Sequence, residues 1–394
     1  MEKKTILMVH NFYQIAGGED TVFENEKKLL IEQGHRVYTY TRTNDELKTH
    51  PWKKLLLPFT TVWSFKSYFE VRRLIREKGI DIVHCHNTFP LVSPSVYYAA
   101  RSRKVPVVQT IHNFRLLCPN GLFYRDGRIC EDCLTANRFL PALKGSCYRS
   151  SRLQTAVLAA MLLIHRRLGT YRKISYIFLT DFNRKKFDKL LDIQGSNVFV
   201  KPNFTEKPAA APPQETVRPV FVFSGRLDES KGILFLLKVW PTLPKEWQLH
   251  IYGDGPCREA CRKAAAECGN IHVFGFRPRE EIFSDLAGAA AMLFPSRWYE
   301  GYPMVLSECF SLGRPVVSTG IGNQGDIVIA SGGGVTFDID DETGFRAALE
   351  EVLQNNAVYS ANATAYYEQN LTRQRNYELL EKIYNSVKHI SNTR

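Results

Sequence analysis

No long hydrophobic run occurs in these 394 residues: the longest, Ala156 to Ile164, is nine residues, against about 20 needed to span a bilayer. A membrane-spanning helix is therefore not expected. No short-period repeat and no low-complexity tract is present either, and charged residues are held to 23% beside 44% hydrophobic ones, which argues against a solenoid and against a disordered chain. The opening Met1 to His10 has only a few apolar residues before polar Asn11. It reads as a first β-strand rather than a signal peptide, predicting a cytoplasmic protein.

Acidic residues are scarce in one half only. Residues 1–205 carry 33 Lys and Arg against 17 Asp and Glu, whereas residues 206–394 carry 19 against 23. A basic first half suits a negatively charged partner, either nucleic acid or an anionic membrane surface bearing a phosphorylated lipid. No nucleic-acid-binding module or ladder of aromatic and basic residues accompanies it, so nucleic acid is not the expected partner.

The chain is too long for one ordinary core, and its pattern divides it. Strands are predicted at Thr5–His10, Arg36–Tyr40, Ile80–His84, Pro106–Thr110 and Ser175–Thr180, with helical spacing between them. A proline-rich, aperiodic stretch, Lys207–Arg218, interrupts the series. It restarts with Val220–Ser224, Gln248–Tyr252, Ile271–Phe274, Ala291–Pro295 and Pro315–Thr319. Each series implies a parallel sheet covered by helices. The expected domains are 1–205, a linker at 206–218, a second domain at 219–365, and C-terminal helices at 366–394 packing back on the first.

Three segments carry chemistry. Gly17-Gly18 lies at a strand-to-helix turn, where backbone can approach a ligand and free N–H groups face an anion; a tight turn alone needs the same glycines. Phe221 to Gly232 runs from a strand into a loop with Arg226 and Lys231 five residues apart, cations that suit a diphosphate at the carboxyl end of a strand, or else decorate a solvated turn. In Phe294 to Gly313, Glu300 and Gly301 precede Tyr302 and Pro303, a residue suited to the first helical position, and Glu308 lies one to two turns inside that helix. Vicinal ribose hydroxyls would donate to a carboxylate so placed.

Between the fourth strand and the linker, Cys118, Cys130, Cys133 and Cys147 follow the spacing C-x11-C-x2-C-x13-C. In a reducing compartment this fits a structural tetrahedral zinc; a labile redox pair or four unrelated thiols are the alternatives. Cys257, Cys261 and Cys268 are expected on a helical surface. The apolar helix within Tyr148–Gly169 is flanked by arginines and fits either a membrane interface, on the inner face of the plasma membrane, or the first domain's core.

Taken in order, Gly17-Gly18, Gly-His-Arg-Val at 34–37, Asp81-Ile-Val-His-Cys-His86, Thr110-Ile-His112, Gly225-Arg226 with Lys231-Gly232, Tyr252-Gly-Asp-Gly-Pro256, and Glu300 with Glu308 resemble the retaining glycosyltransferases of family 4. The resemblance implies an α/β protein of GT-B fold, two facing Rossmann-like domains with parallel sheets. It implies a catalytic set of His112, Glu300, Arg226 and Lys231. Donor contacts would come from Gly17, Gly18, Arg226, Lys231, Gly275, Phe276, Arg277, Glu300, Gly301, Tyr302, Pro303 and Glu308. In that scheme Arg226 and Lys231 grip the donor diphosphate, Glu308 the ribose, Glu300 the transferred sugar, Gly275–Arg277 the base, and His112 stands beside the reacting sugar. Asn113 departs from the aspartate of many relatives, which puts an acid/base role for this segment in question. The expected partners are a UDP- or GDP-sugar and a glycan or lipid-linked acceptor, with no cofactor for catalysis. A nucleotide-sugar 2-epimerase of the same fold is the nearest rival; a non-catalytic, basic nucleic-acid-binding protein is the other.

Overall fold

The structure, a computed structural model, describes residues 3–14, 17–49, 53–191, 197–208 and 218–387. Most of the expected linker, 209–217, lies outside them. The chain divides into two compact units. The first comprises Met1–Leu122, Glu131–Pro202 and Tyr377–Arg394; the second comprises Phe123–Cys130 and Asn203–Asn376.

The first unit holds a six-stranded sheet of β1 (Thr5–Phe12), β2 (Arg36–Thr43), β3 (Ile82–Cys85), β4 (Val107–Ile111), β7 (Ser175–Phe178) and β8 (Val198–Val200), all pairs parallel, in the order β2-β1-β3-β4-β7-β8. Ile6 to Val9 have no exposed surface. Both faces of that strand are covered, hence an unbroken apolar run in place of alternation. The C-terminal helix Arg373–Ser386 ends in this unit: Leu380, Ile383, Tyr384 and Val387 pack with Ile6, Met8, Phe23 and Leu30. Its burial here explains the helical spacing of those four apolar residues. That stretch is broken by a second helix, Asn356–Asn370, in the other unit.

The second unit repeats the design with β9 (Arg218–Ser224), β10 (Gln248–Tyr252), β11 (Ile271–Gly275), β12 (Ala289–Phe294), β13 (Val316–Thr319) and β14 (Gly334–Phe337), parallel in the order β11-β10-β9-β12-β13-β14. This is the doubly wound arrangement, with strand order reversing between β9 and β12. A crevice forms at the carboxyl ends of those two strands, because their connecting chains leave in opposite directions. Cys261 and Cys268 are buried in this unit's core, and Cys257 packs against it. The surface position expected for them is therefore wrong: their side of the helix faces the sheet, where a thiol serves as a small apolar group.

A hairpin of β5 (Tyr124–Arg125) and β6 (Arg128–Ile129), from the cysteine-bearing segment, is counted with the second unit. Its Tyr124 ring lies 6.4 Å from Trp298. The expected strands all form, mostly with shifted ends; β8 and β14, only three and four residues long, were not anticipated.

Candidate active site

The β9 and β12 carboxyl ends carry the pair predicted from sequence. Gly232 follows the loop from β9 with φ +77°, and a Cβ there would stand 2.0 Å from the Pro295 carbonyl oxygen. Only glycine lets the two strand ends approach so closely. The approach brings Lys231 Nζ to 2.7 Å from Glu300 Oε1. The same oxygen accepts from Ser296 Oγ and Trp298 Nε1, both at 2.6 Å. Glu300 is only 8% exposed, and three donors on one oxygen offset the cost of burying its charge. Lys231 also sits 5.2 Å from the centre of the Trp298 ring.

The backbone beside Glu300 is fixed from the next helix, Gly322–Ser331. Asn323 Nδ2 donates to the carbonyls of Glu300 and Gly301, and Gln324 Nε2 donates to that of Trp298 at 2.8 Å. Ser296, Trp298, Asn323 and Gln324 were not singled out in the sequence. Their role comes from a fold that brings β12 and β13 side by side, and only the nearness of Ser296 and Trp298 to Glu300 hinted at it.

Arg226 is more exposed and lies 3.7 Å from Asp228 Oδ2. Burial works to raise the Asp228 carboxyl, but hydrogen bonds from Ser230 and the cations Arg226 and Lys231 outweigh it and hold the group below its ordinary value. That keeps the loop in a turn that presents both cations.

Glu308 occupies a neighbouring pocket. The helix is Met304–Ser311 with Pro303 as its N-cap, so it begins one residue later than expected. Glu308 Oε1 is 3.0 Å from Arg279, and burial pushes its carboxyl up despite that arginine. Phe276, Arg277, Arg279, Ser224 and Val305 line the pocket with it, around about 580 Å³. Phe276 is 84% exposed, a large apolar ring left open to a planar partner. Glu300 and Glu308 thus keep separate partners: one faces Lys231, the other the pocket beside β11.

In the first unit, Gly17 caps the helix Gly18–Glu32, its N–H donating to Asp20 Oδ2 at 2.9 Å. Glu19, not predicted, accepts from Asn87 Nδ2 at 2.9 Å and from Asn113 Nδ2 at 3.2 Å. Asn113 therefore stands on a carboxylate supplied by another segment. Burial pushes the Glu19 carboxyl up, against the pull of His10 and Arg115. His112, half-buried at the end of β4, lines a cavity with Asn113, Arg115 and Asn87. Burial, reinforced by His10, Lys201 and His84, holds its imidazole well below the ordinary histidine value. It is a neutral ring near pH 7. Cys118 and Cys133 are buried and Cys147 half-buried in this unit; Cys130, half-buried, belongs to the other.

Two family models match the chain, Glycosyltransferase Family 4 over residues 16–162 and Glycosyl transferases group 1 over residues 218–355, together more than half of it. The chain belongs to the family 4-type glycosyltransferases. The second match spans every strand of the second unit with Lys231, Glu300 and Glu308, and the first spans β2, β3 and β4 with His112. Among relatives, it is 28% identical over 165 residues to the lipopolysaccharide 1,6-galactosyltransferase of Escherichia coli (strain K12), covering 40% of this chain and 46% of that protein. The chain thus spans less than half the length of that relative. The chain has the GT-B fold. It superposes on the lipopolysaccharide outer core galactosyltransferase WaaB in apo form with TM-score 0.66 at 17% identity, over 97% of this chain and 99% of the other. HepE of Anabaena in complex with UDP superposes with TM-score 0.65 at 14% identity, over 97% and 100%.

Proposed function

We propose that this chain is a retaining glycosyltransferase that moves a sugar from a nucleoside-diphosphate sugar to a glycan or lipid-linked acceptor in bacterial cell-surface polysaccharide synthesis. The observation that carries the reading is the Lys231–Glu300 pair at the β9/β12 crevice, beside the Glu308 pocket. A base against Phe276 and Arg277, a ribose on Glu308 and a diphosphate on Arg226 and Lys231 follow one path along the carboxyl ends of β11, β9 and β12.

In the reaction, the bond between the anomeric carbon and the diphosphate oxygen breaks and an acceptor oxygen bonds to that carbon from the same face. The acceptor's proton passes to the departing phosphate. Negative charge grows on that phosphate and is stabilised by Arg226, Lys231 and the backbone N–H groups of Gly301 and Tyr302, so side chains supply the charge that a metal supplies elsewhere. Glu300, held by three donors, accepts from the transferred sugar's hydroxyls. Complexes of HepE with UDP, and with UDP and glucose, support a nucleotide-sugar donor.

Calorimetric titration with UDP, GDP and ADP tests the donor site. One of the three should bind saturably, and Glu308→Ala should weaken it at least tenfold by removing the ribose acceptor. No binding by any nucleotide, or equal binding by the variant, would remove the site assignment.

For the acceptor we favour a membrane-borne lipid. The helix Arg152–Arg167 packs Leu158, Ala159, Met161 and Leu162 in a core, while Leu153, Leu163 and Ile164, with Leu168 just beyond its end, stay exposed, which supports a membrane-facing side. Leu55 and Phe59, on the adjoining helix Lys53–Val62, are 79% and 75% exposed. With the basic first half, this apolar face suits the surface of an anionic bilayer. The chain should co-sediment with vesicles containing phosphatidylglycerol and leave them when Phe59→Asp is introduced; indifference to that change would exclude the face.

A further inference from the structure

Behind His112 the first unit buries a line of polar groups that the proposed chemistry does not use. Lys201, after β8, bonds Glu26 of the helix Gly18–Glu32, and neither side chain has exposed surface. The other oxygen of Glu26 faces His86 Nε2 at 3.5 Å. His86 Nδ1 is 3.0 Å from His112 Nε2, their rings stacked with centres 5.2 Å apart. His112 is where the line reaches the cavity. An ion pair with no access to water is a poor source of stability, since desolvation cancels most of its attraction. Its position, three groups behind an open imidazole, calls for another explanation.

The ligand atoms of Glu26, His84 and His86 lie within 4.8 Å of one another, as in a metal site. The neighbours oppose a cation there. Lys201 already supplies one to Glu26, and both ring nitrogens of His84 are engaged, Nδ1 with the Tyr384 hydroxyl at 2.7 Å and Nε2 with Thr110 Oγ1 at 2.8 Å.

We propose that Glu26 is a positioning residue that sets the tautomer of His112 through His86. No hydrogen bond joins Glu26 Oε2 and His86 Nε2 at 3.5 Å, but a carboxylate only accepts, and its charge favours an N–H over a lone pair on the nitrogen that faces it, so the His86 proton is held at Nε2. His86 Nδ1 is then a lone pair and must accept, and the hydrogen between the two rings belongs to His112 Nε2. A neutral imidazole has one N–H, so His112 is left with a bare Nδ1. It presents to the cavity an acceptor for a sugar or acceptor hydroxyl, not a donor. Lys201 fixes the orientation of the carboxylate, and the order of donors follows from which group at the far end cannot donate. Burial, with the Lys201 cation nearby, disfavours a second proton on His86, which would erase the distinction.

The catalytic consequence rests on the reading of His112 as the residue beside the reacting sugar; the tautomer does not. Long-range proton–nitrogen NMR on protein labelled at histidine reads the tautomer directly, with His112 assigned from the spectrum of His112→Gln. Wild type should show His112 protonated at Nε2 and bare at Nδ1. In Glu26→Gln the side-chain amide can donate to His86 Nε2, and His112 should move to the Nδ1-protonated form or a mixture, with kcat down at least tenfold and the KM for nucleotide sugar within twofold. His112 protonated at Nδ1 in wild type, or the same tautomer in both proteins, would overturn the proposal. The wild-type spectrum decides even if the variant does not fold. A tautomer that switches while kcat holds would leave the proposal standing and remove His112 from the reaction.

Discussion

Replacing Lys231 by methionine should lower kcat/KM for sugar transfer by about 10³-fold. Two losses combine. The growing charge on the departing diphosphate loses a cation aimed at it, and removal of one such donor costs about 10²–10³ in rate elsewhere. The second loss is internal: Glu300 is nearly buried and shares Oε1 between Lys231, Ser296 and Trp298. Without Lys231 a carboxylate stays in a poorly solvated place on two neutral donors, and breaking a buried pair in this way costs about 3–5 kcal/mol. Part of that cost should appear as local loosening of residues 296–300. Glu300→Gln separates the two contributions, because the amide keeps acceptor contacts with Ser296 and Trp298 and leaves the cation in place. It should fold like wild type and bind nucleotide, yet transfer sugar at least 10²-fold more slowly. A folded Lys231→Met protein working within threefold of wild type would show that the crevice is not the site of transfer.

Acid should open the first unit before the second. His84 is held at about 4, chiefly by burial with Lys201 adding to it, and His86 and His112 lie well below the ordinary histidine value for the same first reason. An unfolded chain protonates its histidines near pH 6.5. Between pH 6.5 and 4 the unfolded state therefore binds protons that the folded state refuses, and stability falls as pH falls. Above pH 6.5 these groups are neutral in both states and add no pH dependence. For His84 alone the loss across that window is about 3 kcal/mol, at ~1.4 kcal/mol for each pH unit. That is a large share of the roughly 5–15 kcal/mol that holds a domain folded. Glu19 acts in the opposite sense, since burial raises its carboxyl and the folded state takes up that proton first. One carboxyl does not balance three histidines. Hydrogen exchange of the β3 and β4 amides, followed by mass spectrometry and corrected for intrinsic rate, should accelerate from pH 7 to pH 5 more than that of β9 and β12. Equal protection of β3 and β4 at both pH values would mean that the histidines find protons or water without unfolding.

The parts of the site that could be read in the sequence are those where one residue type has a single use. Gly232 is a glycine because a carbonyl occupies the place of its Cβ, and Lys231 precedes it on a loop that follows a strand of Val and Phe. Glu308 stands out as a carboxylate in an apolar helix. The same reading misplaced Cys261 and Cys268 because a thiol is equally at home on a surface or in a core, and local spacing does not say which face of the helix Arg258–Glu267 meets the sheet. Strands β8 and β14 were missed because three or four residues show no period of their own.

By itself the sequence determined two parallel-sheet units, where along the chain the strands that carry the site lie, and the identity of the charged groups at their ends. Those features are encoded locally, in apolar runs, turns and glycines whose meaning does not depend on distant residues. Tertiary structure alone decided which charge meets which. Lys231 lies 69 residues from Glu300 in sequence and Lys201 lies 175 from Glu26; Glu19 reaches Asn113 across 94. Strand order in a parallel sheet follows crossover connections rather than sequence adjacency. The partners of a buried charge are therefore fixed only when the sheet has closed around them.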